Sequence, residues 1–251
     1  MPPFTSDALV LRTYKLGETS KVVVLLSRER GKLRAVAKGA RGARNRYRSA
    51  LEPLSEVRAT LYGRQGAELL RLGECELLRS AFLVGGAEPE SRLALSYYAE
   101  LLDAFAQEGE AEDAVYRLAL AVVRAAEEGT SGMPLARYLE AWLLRLHGLY
   151  PPLDRCASCS RRLPEGALRY HPVSHGFACG DCAPEAPTTL ARDARAELER
   201  MFREPPAAPG RATTEVAREL EAFHHDLIAM HLERELRSYR VLREVARGVH
   251  G

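Results

Sequence analysis

The chain has 251 residues, of which 46% are hydrophobic and 28% charged, and its net charge is +2. That apolar fraction supports a packed core and excludes a disordered or fibrous chain. No apolar run approaches the twenty residues a membrane-spanning helix needs, and Met1 to Tyr14 lacks the basic start and apolar block of a signal peptide. A reducing, cytoplasmic setting is therefore expected, and disulfides are not.

Charge is unevenly spread. Residues 1–80 hold 16 Lys+Arg against 8 Asp+Glu, so with +2 overall the remainder is net acidic. Such asymmetry points to a polyanion-binding front module beside an acidic body. Ala8-Leu9-Val10-Leu11 predicts a strand, and so does the β-branched run Lys21 to Leu26. Gly31 opens a third, Lys32 to Lys38. Its alternation puts Lys32, Arg34 and Lys38 on one face, interrupted by Val36, and Leu33, Ala35 and Ala37 on the other. Ser55–Leu61 and Glu68–Leu72 predict two more, with turns at Gly63 and Gly66. Five short strands separated by turn signals predict a small closed barrel of the OB-fold type over residues 1–80.

Between the third and fourth strands runs Gly39-Ala40-Arg41-Gly42-Ala43-Arg44-Asn45-Arg46-Tyr47-Arg48, four arginines without an acid. Guanidinium groups suit phosphate oxygens, and glycines let a ligand approach the backbone. Lys32, Arg34, Lys38, Arg41, Arg44, Arg46 and Arg48 are the candidate phosphate contacts, with Tyr47 offering a ring for base stacking. No Walker A motif occurs, and no G-x-G-x-x-G occurs in this loop, so a bound nucleotide is not expected.

From Glu74 onward the pattern predicts helices. Stripes of period 3.6 run from Pro89 to Phe105, through Val115 to Val123, and from Leu135 to Leu146. Their acids (Glu100, Asp103, Glu112, Asp113, Glu127, Glu128) are expected on solvated outer faces, and Trp142 and the tyrosines in the core. Cys75 is expected to be buried. Thr188 or Thr189 is positioned to cap a helix ending at Phe202, and Pro205 to Gly210 reads as a stiff linker. Residues 214–247 lack Gly and Pro, which predicts two helices or one kinked helix. His224, His225 and His231 do not form a metalloprotease motif and read as packing or surface residues.

Two motifs stand apart, Cys156-Ala-Ser-Cys159 and Cys179-Gly-Asp-Cys182. Two residues between cysteines let one turn aim both thiolates at one ion, and the gap lets a hairpin return the second pair from the opposite side. This is the spacing of a tetrahedral Zn2+ site. Four thiolates leave no open position for water, and the deaminase signature is missing, so the ion is expected to be structural. His171 and His175 lie nearby as alternative ligands. The predicted architecture is α+β: an OB-fold domain over 1–80, then an α-helical domain over 81–150 and 188–251 carrying a zinc knuckle over 151–187. No nucleophile–base pair is identifiable, so an enzyme is not expected.

The run Ala8-Leu9-Val10-Leu11, Gly17-Glu18, Gly31 through Arg41 and Leu51-Glu52-Pro53-Leu54 resembles the start of the bacterial RecO family, DNA repair proteins of the RecF recombination pathway. Tyr138-Leu139-Glu140, Leu143 through Leu149, Leu153-Asp154-Arg155-Cys156 and Gly176 are similar to its segment leading into the zinc site. His231-Leu232, Leu236-Arg237-Ser238 and Leu242 are similar to its C-terminal segment. Glu233 stands where the family pattern has a glycine, which favours a continuous C-terminal helix. The family does not always keep the four cysteines, so zinc is expected as a feature of this chain. The resemblance implies an OB-fold and a helical domain, binding of single- and double-stranded DNA, and annealing of complementary strands. It also implies action with RecR to help RecA replace single-strand-binding protein, in the cytoplasm at the nucleoid. An alternative reading is an adaptor whose basic barrel docks an acidic protein instead of DNA.

Overall fold

The structure is a computed structural model that describes residues 2–42, 45–64, 66–80, 89–130, 132–186, 188–206 and 212–248. Five strands, β1 (Phe4–Leu16), β2 (Ser20–Ser27), β3 (Gly31–Ala37), β4 (Ser55–Tyr62) and β5 (Leu70–Ser80), close into a barrel in the order β1-β2-β3-β5-β4. All neighbours are antiparallel except β3 and β5, which is the OB-fold arrangement. Side-chain alternation explains why it closes. Val10, Val23, Leu25, Val57, Leu61 and Leu72 point inward, and the narrow interior is relieved by Ala8, Ala35, Ala37 and Ala59.

The last strand is longer than the sequence pattern suggests. The helix expected from Glu74 is instead strand to Ser80, because Cys75 and Leu77 pack against the barrel core and pair with Ala59 and Val57. Cross-strand packing overrides the helical preference of Glu74 and Glu76. Cys75 is half-buried, and burial pushes its thiol up to about 11.

Six helices follow among the described residues: α1 (Pro89–Phe105), α2 (Asp113–Glu127), α3 (Met133–Leu146), α4 (Arg192–Met201), α5 (Thr214–Leu232) and α6 (Arg237–Gly248). None is long and apolar enough to cross a membrane. Between α3 and α4, β6 (Leu168–His171), β7 (Gly176–Ala178) and β8 (Thr188–Leu190) form a small sheet in the order β7-β6-β8. Thr188 and Thr189 therefore belong to a strand rather than a cap, and Ala191 precedes α4 with no side-chain cap.

The chain divides into two compact units, residues 1–136 with 235–251, and residues 137–234. This grouping differs from a single helical domain behind the barrel. In the first unit α1 packs on β1, and α6 packs on α1. Tyr97 meets Tyr239 at 5.5 Å, and the Glu100 carboxylate accepts hydrogen bonds from Arg237 N and Ser238 N at the start of α6.

The C-terminal run is broken, as one of the two sequence readings has it. The break falls at Glu233, which takes the left-handed conformation (φ 53°, ψ 18°) and donates its N–H to Ala229 O. A side chain costs roughly 1–2 kcal/mol in that conformation, and glycine is the usual residue at such a helix end. Glu233→Gly is therefore expected to stabilise the protein by about 1 kcal/mol in chemical denaturation, after allowance for the greater freedom of an unfolded glycine. A destabilised variant would mean that the Glu233 side chain contributes more than its backbone costs.

Candidate metal centre and nucleic-acid interface

The four cysteines of the second unit converge. One ligand atom from each of Cys156, Cys159, Cys179 and Cys182 lies within 4.8 Å of all the others. Two tight turns aim them. Ser160 N donates to Cys156 O in the first, and Cys182 N and Ala183 N donate to Cys179 O in the second. The turns are tied together by Ala157 N to Phe177 O at 2.8 Å, by Cys179 N to Cys156 Sγ at 3.4 Å, and by an Arg161–Asp181 ion pair at 2.6 Å. Gly176 is required where they meet, since a Cβ there would lie 2.5 Å from the Ala157 Cβ.

The donor set fits a tetrahedral ion. Metal–sulfur bonds of about 2.3 Å imply sulfur–sulfur edges of about 3.8 Å, and Cys159 Sγ and Cys179 Sγ are 3.8 Å apart. Burial pushes the Cys156 thiol up, but N–H donors from Cys179, Cys159 and Ser158 outweigh it and bring it down to about 6. Hydrogen bonding to the Cys179 and Cys159 sulfurs, with burial, pushes Cys182 up to about 12. Four thiolates this close repel one another, and a bound cation would offset that charge. His171 instead bonds the Ser174 hydroxyl at 3.1 Å.

An aromatic cluster joins this knuckle to the helices of the same unit. Phe177 of β7 stacks on Phe223 of α5 at 5.6 Å, Tyr170 meets Phe223 edge-on at 5.2 Å, and Tyr150 meets it at 5.8 Å. Beside the cluster lies a buried polar network that sequence reading missed. Arg137 bonds Glu140 at 2.6 Å, Glu140 bonds His224 at 3.1 Å, and His224 bonds the Tyr150 hydroxyl at 3.2 Å. His224 is a packing residue, as expected; its carboxylate partner lies 84 positions away, so no local pattern reveals the pair.

On the barrel the predicted basic residues separate into two groups. Lys32 donates to Asp103 O at 2.7 Å and lies 3.7 Å from the Asp103 carboxylate, while Arg34 pairs with Glu108. Lys38, Arg41 and Arg46 are exposed. Arg41 donates to Gly17 O at 2.9 Å, and Arg46 donates to the Tyr47 hydroxyl at 2.7 Å. Arg48 begins a 3-10 turn, and Arg44 lies outside the described residues.

Tyr47 requires a correction. It is 2% exposed inside the barrel core, and its hydroxyl donates to Leu72 O at 3.2 Å. Its ring fills space and is not available for stacking. Several acids expected to be solvated also have partners on the barrel: Asp103 holds Arg12 and Lys32, Asp113 holds Arg28, and Glu127 holds Arg79. Asp103 and Glu127 are only 11% and 12% exposed.

Two basic residues missed in the sequence join the free group. Lys15 of β1 is the register partner of Lys21 of β2, which is the partner of Ala37 next to Lys38. Arg41 N donates to Thr19 O, so Arg41 sits against the β1–β2 turn. Among the described residues no carboxylate pairs with Lys15, Lys21, Lys38 or Arg41. A strand alternation extended to Leu16, with Gly17 as the turn, is the signal that finds Lys15 and Lys21.

Comparison with known proteins agrees with this architecture. The family model for the N-terminal part of recombination protein O matches residues 1–81, and that for its C-terminal part matches residues 88–240. The DNA repair protein RecO of Koribacter versatilis (strain Ellin345) is 37% identical over 235 residues, covering 92% of this chain and 94% of the relative. That of Anaeromyxobacter dehalogenans (strain 2CP-C) is 35% identical over 248 residues, covering 94% of each. That of Desulforudis audaxviator (strain MP104C) is 35% identical over 256 residues, covering 98% of each.

Proposed function

The chain belongs to the RecO family of DNA repair proteins, and from that premise we propose that it binds single- and double-stranded DNA and anneals complementary strands. With RecR it promotes loading of RecA onto DNA coated by single-strand-binding protein, acting in the cytoplasm at the nucleoid. The observation that carries the reading is the closed OB barrel with Lys15, Lys21, Lys38 and Arg41 gathered at one end, none of them paired with a carboxylate among the described residues. Annealing needs loose, sequence-blind binding, because two strands must be held close yet stay free to pair. Cations on phosphates provide that, whereas contacts to base edges would obstruct pairing.

The ion we assign to the cysteine centre is Zn2+, which four thiolates in tetrahedral reach suit. When bound, it supplies a structural cross-link. With its shell filled by protein sulfur it has no position for water or substrate, so a non-catalytic role follows.

The test is affinity of the full chain for an oligonucleotide against salt. Four phosphate contacts on a single strand give a logarithmic slope near −3, or roughly a fiftyfold loss between about 50 and 200 mM salt. Lys38→Ala and Arg41→Ala are each expected to flatten the slope by about 0.7. A slope unchanged in both variants would remove this end of the barrel from the interface. A second reading, a barrel that docks an acidic protein, is favoured by one observation: Lys32 and Arg34 already hold carboxylates of their own unit. Competition between an oligonucleotide and an acidic peptide separates the two readings.

A further inference from the structure

With Tyr47 buried, any ring that stacks on a strand bound to the barrel must be another one. Tyr14 is 44% exposed, and among the described residues it is the only exposed aromatic. Its position follows from the length of β1, which continues to Leu16 as one side of a hairpin. There Tyr14 and Leu16 alternate to the same side, and both are exposed.

The surroundings of this ring suit a base. Its register partner across the hairpin is Val22, which is buried and gives a firm floor. The Arg12 guanidinium lies 5.7 Å from the ring centroid and is held by Asp103 at 2.9 Å. Alternation puts Lys15 and its register partner Lys21 on the opposite face of the hairpin from Tyr14, and Lys38 and Arg41 lie at the same end of the barrel, with Glu18 the acid of the turn. The exposed ring lies on one face of a hairpin whose end and other face carry Lys15, Lys21, Lys38 and Arg41, none of them paired with a carboxylate among the described residues. That arrangement matches a flexible ligand that alternates rings with negative charge and can wrap the hairpin edge. A single nucleic-acid strand has that chemistry. A duplex offers the charge but keeps its bases stacked inside.

Resting on the nucleic-acid reading above, we infer that Tyr14 is the base-stacking residue of this barrel and that its ligand is a single strand held by Lys15, Lys21, Lys38 and Arg41. Stacking is sequence-tolerant, because every base has a π-face, so the contact adds affinity without base readout.

The experiment measures binding of the full chain to an oligothymidylate and to a duplex of equal length over a salt series. Tyr14→Ala is expected to weaken single-strand binding by roughly 5- to 100-fold. The salt slope stays unchanged, because no phosphate contact is lost, and duplex affinity stays near wild type. Tyr14→Phe keeps the ring and is expected to bind like wild type. In Tyr14→Trp, oligothymidylate is expected to quench the added indole. Wild-type single-strand affinity in Tyr14→Ala overturns the assignment, as does an equal loss on duplex or an unquenched Tyr14→Trp. If the wild-type chain binds neither ligand at low salt, the nucleic-acid reading fails and this one with it. If wild type binds and Tyr14→Ala binds equally, only the Tyr14 assignment fails.

Discussion

Replacing Glu140 with alanine is expected to destabilise the unit spanning residues 137–234 by about 3–5 kcal/mol. Glu140 is 1% exposed and accepts from both Arg137 and His224, themselves buried. Removing one member of a buried charged set strips its partners of a carboxylate that water cannot replace. Glu140→Gln keeps an acceptor and most of the volume, so its cost should be smaller. Trp142 is the single tryptophan of the chain and lies in the same unit, where its Nε1 donates to Met201 O at 2.9 Å. Urea titration followed by its fluorescence therefore reports this unit. If Glu140→Ala unfolds at the wild-type midpoint, the network contributes nothing to stability.

The same network sets a direction with pH. Burial holds the His224 pKa below its usual value, more strongly than Glu140 raises it. In the unfolded chain this histidine takes a proton near pH 6.5, while in the folded chain it stays neutral to lower pH. The unfolded state then binds more protons below about pH 6.5, so this group makes stability fall as the solution is acidified through that range.

The second large effect concerns the cysteine centre. Cys156→Ser is expected to weaken metal binding by more than the roughly 10–100-fold lost when only a ligand's hydrogen-bond partner is removed. Stripping the metal should loosen residues 154–186, whose two cysteine turns would lose the link between them while Phe177 and Tyr170 still pack on Phe223. Structural zinc contributes on the order of 10 kcal/mol to the folding of small zinc domains. The Trp142 transition should therefore shift downward on chelation, while oligonucleotide binding by the barrel persists. Metal analysis of the intact chain should give about one zinc per molecule, as one four-thiolate site requires. Loss of oligonucleotide binding in Cys156→Ser would contradict that separation.

The barrel was legible because β2 is a short β-branched apolar run, β3 alternates except at Val36, and the turns carry glycine. The cysteine centre was legible because its spacing alone dictates two turns facing one point. What stayed hidden depended on distant residues. Tyr47 lies in an arginine-rich loop, and only the folded chain shows its ring entering the core. The acids of α1 and α2 read as solvated because their partners lie far away in sequence, Arg12, Lys32 and Arg79 on strands and Arg28 in the turn after β2. Residues 74–80 contain both helix formers and a strand alternation, and the pairing with β4 that decides between them is a tertiary contact. Glu233 hid the end of α5 because a non-glycine residue occupies a left-handed position.

The outer face of the barrel bears on how this protein tolerates being cut. Leu9, Val24 and Leu26 point away from the barrel interior yet are fully buried, and α1 packs against β1. The edge of β3 is also occupied: Lys32 N donates to Gln107 O, and Gly109 N donates to Lys32 O. Gly31 has no room for a side chain because the Glu110 carbonyl sits against it. A fragment ending near residue 80 would bare an aliphatic stripe and an unsatisfied strand margin, both templates for edge-to-edge aggregation. Insolubility of such a fragment would report missing cover, not a failed barrel, and a soluble truncation has to retain α1 and the stretch through Glu110.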